Sequence, residues 1–149
     1  MSLEKRIMTD LKTAMKAKDQ ATMRTLRAIK SAILLKKTDG SGAELDDAGE
    51  IKMLQKLVKQ RRESLKIYEE QGREDLAKTE QEEIAVLERY LPQQLGEAEI
   101  TDIVKGIIAE TGADGMKDMG KVMGMASKKL AGQADGRTLS GIVRNLLNS

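Results

Sequence analysis

The sequence predicts an all-α fold, and three features of its composition support that prediction. The 149 residues contain a single proline, Pro92, and only two aromatic side chains, Tyr68 and Tyr90. The good helix formers Lys, Glu, Ala, Leu and Met are abundant. No segment keeps the alternation of apolar and polar residues that a half-buried strand requires. A sheet built on aromatic cross-strand pairs is therefore not expected.

Four helices are predicted before Pro92, at residues 3–16, at residues 20–36, from Asp47 to the residue before Gly72, and at residues 73–91. Ser2, Asp19 and the pair Asp47 and Glu50 are the expected N-terminal caps, and Gly72 is expected to be left-handed. Apolar residues at helical spacing define the faces expected to point inward. They are Leu3, Ile7, Leu11, Ala14, Met15, Met23, Leu26, Ile29, Ile33, Ile51, Leu54, Val58, Leu65, Tyr68, Leu76, Ile84, Leu87 and Leu91.

Two charged residues fall on these apolar stripes. Arg61 lies between Val58 and Leu65, and Glu80 lies on the stripe of the next helix. Because two antiparallel helices joined at Gly72 bring the stripes together, the sequence predicts a partly buried ion pair between Arg61 and Glu80.

Pro92 ends the fourth helix and marks the expected domain boundary, which divides the chain into residues 1–92 and residues 93–149. Three shorter helices are predicted in the second part, at residues 97–110, 117–130 and 137–147. Asp135 is the expected cap of the last one. The predicted architecture is therefore an N-terminal four-helix part followed by a three-helix tail.

The composition removes several classes of enzyme. The sequence has no His and no Cys, so it carries no imidazole base, no Cys nucleophile and no thiolate zinc site. Residues 115–122 approach the phosphate-binding loop of nucleotide hydrolases. However, Val122 stands where a Ser or Thr must reach magnesium, and no strand precedes the loop. We therefore predict no catalytic residues, no metal site and no cofactor.

Small and flexible residues crowd the sixth predicted helix. Gly120 and Gly124 are four residues apart, so they stack on one helical face and let another backbone approach closely. That backbone could belong to a neighbouring helix of the same chain or to an external ligand such as a phosphate backbone. Three methionines share a core-facing stripe, namely Met116, Met119 and Met123, whereas Met125 is expected to be exposed.

Basic residues are concentrated at both ends of the chain, although the net charge is only +2. A set in the tail could follow a nucleic-acid backbone, helped by the N-terminus of the seventh helix. The alternative is an ordinary solvated surface, and Asp135 works against anion binding at that helix end. The candidate RNA-binding residues are Lys117, Lys121, Lys128, Lys129, Arg137 and Arg144.

Several of these segments together resemble the YqeY-like proteins, a family that shares a domain with the tail of the B subunit (GatB) of the tRNA-dependent glutamyl/aspartyl amidotransferase. In the first part they are residues 60–64 (Gln-Arg-Arg-Glu-Ser), Tyr68, residues 73–77 (Arg-Glu-Asp-Leu-Ala), Glu80 and residues 90–92 (Tyr-Leu-Pro). In the tail they are residues 117–123 (Lys-Asp-Met-Gly-Lys-Val-Met), residues 132–136 (Gly-Gln-Ala-Asp-Gly), Ile142, Val143, Leu146 and Leu147. The resemblance covers nearly the whole chain.

The resemblance implies a four-helix part with a UBA-like three-helix tail, and it implies tRNA as a partner. The related tail of the amidotransferase is implicated in gripping tRNA, while its chemistry resides elsewhere. The family also carries the label of a carbon–nitrogen ligase with glutamine as amide donor, although none of its catalytic residues can be placed on this chain.

Our first hypothesis from the sequence is accordingly a tRNA-associated module that is not catalytic alone. The alternatives are a protein–protein adaptor and a glutamine-dependent ligase. The chain has no apolar run of about 20 residues and no apolar leader, so we expect a cytoplasmic protein with no membrane partner.

Overall fold

The helices begin and end where capping and turn residues stand in the sequence. The computed structural model describes residues 2–39 and 45–148, which form seven α-helices and no strand. A short 3-10 turn, Met116–Asp118, precedes the sixth helix. The helices are α1 (Leu3–Ala17), α2 (Gln20–Lys37), α3 (Asp47–Glu70), α4 (Glu74–Glu88), α5 (Glu97–Thr111), α6 (Met119–Lys129) and α7 (Gly136–Leu147).

Side-chain oxygens cap four of these helices by accepting backbone N–H bonds. Ser2 and Asp19 cap α1 and α2, and Asp135 accepts from Thr138 N at 3.0 Å to cap α7, as the sequence predicts. At α3 the prediction is one residue late. Asp46 accepts from Gly49 N at 2.7 Å, so Asp47 is the first helical residue and not the cap.

Backbone contacts divide the chain between Leu91 and Pro92 into two compact units. The first unit contains α1 to α4, and the second contains α5 to α7 with the 3-10 turn. Within the first unit, Gly72 adopts φ +69° between α3 and α4. This is the left-handed conformation predicted for it, and it reverses the chain so that α4 packs along α3.

The core of the first unit is formed by one apolar stripe from each of its four helices. Ile7, Leu26, Leu54 and Leu87 are among its most completely buried side chains, and all four lie on predicted stripes. Met15 is an exception because its side chain is 53% exposed, although the sequence places it on the inner stripe of α1. It lies about one-third of a turn away from Ala14, which takes the inward position.

The core of the second unit forms where α5, α6 and α7 pack against one another in pairs. Val104, Val122, Ala126 and Val143 are fully buried there. Of the methionines predicted to fill this core, Met119 and Met123 pack against it partly buried, whereas Met116 is exposed. Met116 departs from the helical stripe because it lies in the 3-10 turn, where residues repeat every three positions and not every 3.6.

Candidate nucleic-acid interface

Helix α6 has a buried face and an open face. Val122 and Ala126 point into the core with no exposed surface. Lys121, Gly124 and Lys128 recur at intervals of three and four residues on the opposite side, and all three are exposed. We call these three residues the α6 outer face. Its edges are formed by Gly120 on one side and by Met125, which is exposed as predicted, on the other.

No helix in the described part of the chain covers Gly120 or Gly124 of α6. A Cβ atom built on Gly120 or on Gly124 would meet no heavy atom of the described residues within 4 Å. The close packing within the chain that the sequence suggests for this pair is therefore absent from the described residues. The glycine backbone is open on this side among the described residues, and an external ligand there stays a prediction.

All six candidate RNA-binding residues are exposed, and none of them takes part in a described ion pair. The structure brings Lys121 and Lys128 onto the α6 outer face, and Lys129 follows directly. Lys117 lies in the 3-10 turn, one turn before Lys121. Arg137 and Arg144 are seven residues apart on α7 and so share a face of that helix.

The N-terminus of α7 is already occupied by a carboxylate. Asp135 accepts one hydrogen bond from Thr138 N at 3.0 Å and another from Thr138 Oγ1 at 2.6 Å. The sequence predicts that backbone N–H groups at this helix end help to bind phosphate, and that the charge of Asp135 opposes such binding. The geometry gives Asp135 the position at which an anion would bind. Asp135 therefore competes with a phosphate for the backbone donors at this helix end.

A cluster of charged residues in the first unit differs from its prediction. Arg61 Nε lies 3.6 Å from Oε1 of Glu83, and Arg24 Nε lies 3.9 Å from Oε2 of the same carboxylate. No ion pair joins Arg61 to Glu80 within 4.0 Å. The reason is the register of the hairpin, since Arg61 and Glu83 are each eleven residues from Gly72 along the chain. The predicted pair is thus shifted by about one helical turn on α4.

Glu80 is expected to lower the stability of the protein as the pH rises above the ordinary range of a glutamate. Burial, and then the charge of Glu83, raise the pKa of Glu80 above 4.5, against the opposing charges of Arg61 and Arg24. The folded state therefore holds this proton more tightly than the unfolded state. The free energy of unfolding falls as the pH rises from the ordinary pKa of a glutamate to the raised pKa of Glu80 in the folded protein. Glu80→Gln removes the titration. Denaturant unfolding from about pH 4 to about pH 7 should give a flatter profile for Glu80→Gln than for the wild type, and parallel profiles would contradict the assignment.

Tyr90, which follows α4, contacts α1, and no sequence pattern predicts this contact. Tyr90 Oη donates a hydrogen bond to Oδ2 of Asp10 at 2.5 Å, and Arg6 lies 5.1 Å above the tyrosine ring. Burial and the bond to Asp10 raise the pKa of Tyr90, so its hydroxyl stays protonated. The contact joins residues 80 positions apart, and its geometry is that of a structural link between α1 and the end of α4.

Residues 2–39 and 45–148 contain no cluster of three or more metal-ligating side chains. In the same part of the chain, no helix is both long enough and apolar enough to span a bilayer.

One known protein family matches the sequence of this chain over almost its whole length. A family model described as "Yqey-like protein" aligns with residues 4–147, so it includes both units and the α6 outer face. The chain belongs to the YqeY-like family. The resemblance that the sequence motifs carry is therefore confirmed at the level of the family.

Curated relatives of this YqeY-like protein include fungal proteins named "Altered inheritance of mitochondria protein 41, mitochondrial". The relative from Lachancea thermotolerans is 36% identical over 68% of this chain and 55% of its own length. The relative from Pyrenophora tritici-repentis is 31% identical over 87% of this chain and 71% of its own. The relative from Meyerozyma guilliermondii is 36% identical over 80% of this chain and 64% of its own. The chain thus spans about half of the first relative, and the shared name states no activity.

These relatives contradict the expectation of a cytoplasmic protein, because their names describe mitochondrial proteins. The expectation rested on the absence of a long apolar run and of an apolar leader in this YqeY-like sequence. Neither absence distinguishes between two aqueous compartments of a cell.

Proposed function

We propose that this YqeY-like chain is a tRNA-associated helical module that binds RNA and does not catalyse a reaction by itself. The observation that carries the proposal is the α6 outer face, where Lys121 and Lys128 lie on either side of an uncovered Gly124. In this proposal the first unit is the four-helix part. The second unit is the UBA-like tail that grips tRNA, as the resemblance to the amidotransferase tail implies.

The α6 outer face suits a phosphate backbone for steric and electrostatic reasons. At Gly124 no side chain holds a ligand away from the helix, so a phosphate can reach the helix surface, where exposed lysines neutralise its charge. The second unit contains no aromatic side chain on which a base could stack. Recognition would therefore depend on the shape and charge of the RNA, and its affinity should fall steeply with added salt.

The composition of the chain and the bonding of Tyr90 argue against catalysis by the chain alone. With no His and no Cys, the sequence lacks the side chains that most often act as bases and nucleophiles near neutral pH. The hydroxyl of Tyr90 is bonded to Asp10 and held protonated. We therefore favour binding over the glutamine-dependent ligase activity that the family label suggests.

An adaptor function is the second candidate, and exposed methionines favour it. Met116 and Met125 are both exposed on the second unit. Methionine adapts to irregular apolar surfaces and is common where one protein docks on another. This function predicts binding to a protein partner that is insensitive to salt, in contrast to binding of RNA.

Gly124→Ala is expected to separate binding from stability. An added methyl group meets no atom within 4 Å, so the variant should be more stable by about 0.5–1 kcal/mol, because alanine favours a helix over glycine. The same methyl group should lower the affinity for tRNA about tenfold by blocking close approach of the phosphates. Filter binding at low salt and denaturant unfolding measure the two effects.

The matched control is Gly106→Ala on α5, where an added Cβ also meets nothing within 4 Å. It should give a similar gain in stability and leave the affinity for tRNA unchanged. If the wild-type chain has no affinity for tRNA at low salt, the proposed function is wrong. If Gly124→Ala and Gly106→Ala bind tRNA equally well, the α6 outer face is not the site.

A further inference from the structure

The first unit exposes an apolar stripe along its two N-terminal helices. The exposed fractions of Met8, Met15 and Leu34 are 47%, 53% and 61%. Leu35, next to Leu34 on α2, is 69% exposed. Large apolar side chains exposed together in a folded unit are a common sign of an interaction surface.

One ion pair and helical spacing place Met8, Met15 and Leu34 on the same side of the two helices, with Leu35 one position further round α2. Lys37 Nζ, at the end of α2, lies 2.6 Å from Oε2 of Glu4, at the start of α1. The two helices are therefore antiparallel. Met8 lies one turn after Glu4 and Leu34 lies about one turn before Lys37, so both follow the ion pair in the same direction along the seam. We call this exposed side of the two helices the α1–α2 outer face.

The segment that carries the α1–α2 outer face is strongly basic. Residues 2–38 contain ten basic and three acidic side chains. Each of the three carboxylates is engaged: Glu4 pairs with Lys37, Asp10 accepts from Tyr90, and Asp19 accepts from Thr22. Exposed cations with no described ion pair surround the apolar stripe, namely Lys5, Lys12, Lys16, Arg27 and Lys30.

We propose that the α1–α2 outer face docks on the surface of an anionic lipid bilayer. The apolar stripe would enter the boundary between headgroups and acyl chains, while the surrounding lysines would contact the anionic headgroups. Lysine is depleted from protein–protein interfaces, and a phosphate backbone alone would leave Met8, Met15 and Leu34 unused. No spanning helix is needed. The expectation of no membrane partner rested on the lack of a spanning run and of an apolar leader, and the proposal departs from it because docking on a bilayer surface requires neither.

Co-sedimentation of the full chain with vesicles tests the proposal. Vesicles of about 70% phosphatidylcholine and about 30% phosphatidylglycerol should bind the wild type, and pure phosphatidylcholine vesicles should bind it at least about tenfold more weakly. Two double variants, Lys12→Glu with Lys16→Glu and Leu34→Ser with Leu35→Ser, should each reduce binding to the anionic vesicles about tenfold or more.

Matched controls lie on α3 of the same unit. Lys52→Glu with Lys56→Glu makes the same change in net charge at the same four-residue spacing, and Ile67→Ser removes an apolar side chain that is half exposed. Both controls should bind the anionic vesicles as the wild type does.

Three results would overturn the proposal. The first is failure of the wild type to bind anionic vesicles at low salt. The second is equal loss of binding in the control for charge reversal, which would make the attraction one of net charge only. The third is unchanged vesicle binding by the Leu34→Ser, Leu35→Ser variant. If the Leu34→Ser, Leu35→Ser variant keeps its vesicle binding but loses affinity for tRNA, the face binds RNA. If a purified protein partner displaces vesicles from the wild type but not from this variant, the face binds a protein.

Discussion

Replacing Lys121 and Lys128 together with Glu is expected to lower the affinity for tRNA about tenfold or more at about 50 mM salt. The two lysines lie on the α6 outer face on either side of Gly124, so each can neutralise a phosphate of a backbone that crosses the helix there. The negative slope of log affinity against log salt concentration should become shallower by about 1.4–1.8, because each lost phosphate contact removes about 0.7–0.9 from its magnitude. Filter binding over a range of salt concentrations measures both quantities.

The control for this variant is Lys52→Glu with Lys56→Glu on α3, which gives the same net charge by altering exposed lysines of the first unit. It should keep most of the affinity and a salt slope close to that of the wild type. Equal losses in the two double variants would show that net charge, and not the α6 outer face, accounts for the binding.

Glu83→Ala is expected to lower the free energy of unfolding of the first unit by about 2–3 kcal/mol. The side chains of Arg61 and Glu83 are only 16% and 11% exposed, and the buried Nε of Arg61 has no hydrogen-bond partner among the described residues. Without Glu83, the guanidinium of Arg61 loses the carboxylate that offsets its partial burial. Denaturant unfolding followed by circular dichroism measures the change.

Glu82→Ala is the matched control, since Glu82 is the neighbouring residue and its carboxylate pairs with Arg24 at 3.4 Å on the exposed surface. An exposed pair of this kind contributes at most about 1 kcal/mol. If both variants lose the same stability, the network around Arg61 is no more important than a surface ion pair. A double variant that replaces both Arg61 and Glu83 with apolar residues should recover part of the loss.

Features that depend on neighbouring residues in the chain were determined by the sequence itself. The all-α class, the left-handed turn at Gly72 and the caps at Ser2, Asp19 and Asp135 all follow from local hydrogen bonding and backbone sterics. The fully buried core of α2, which includes Leu26 and Ile29, follows from helical periodicity. The family motifs are likewise a property of sequence, and the match over residues 4–147 agrees with them.

Features that depend on the register between helices were decided only by the tertiary structure. Periodicity put Glu80 on the inner stripe of α4, but packing against α3 and α2 buries Glu83 and makes it the partner of Arg61 and Arg24. The spacing of Gly120 and Gly124 suggested close packing against a neighbouring helix, but in the described residues no atom lies within 4 Å of a Cβ built on either glycine. The link from Tyr90 to Asp10 joins residues far apart in the chain, so no local pattern predicts it. In each case the cause is the same, because a side chain's own helix determines its direction and the neighbouring helices determine what it meets.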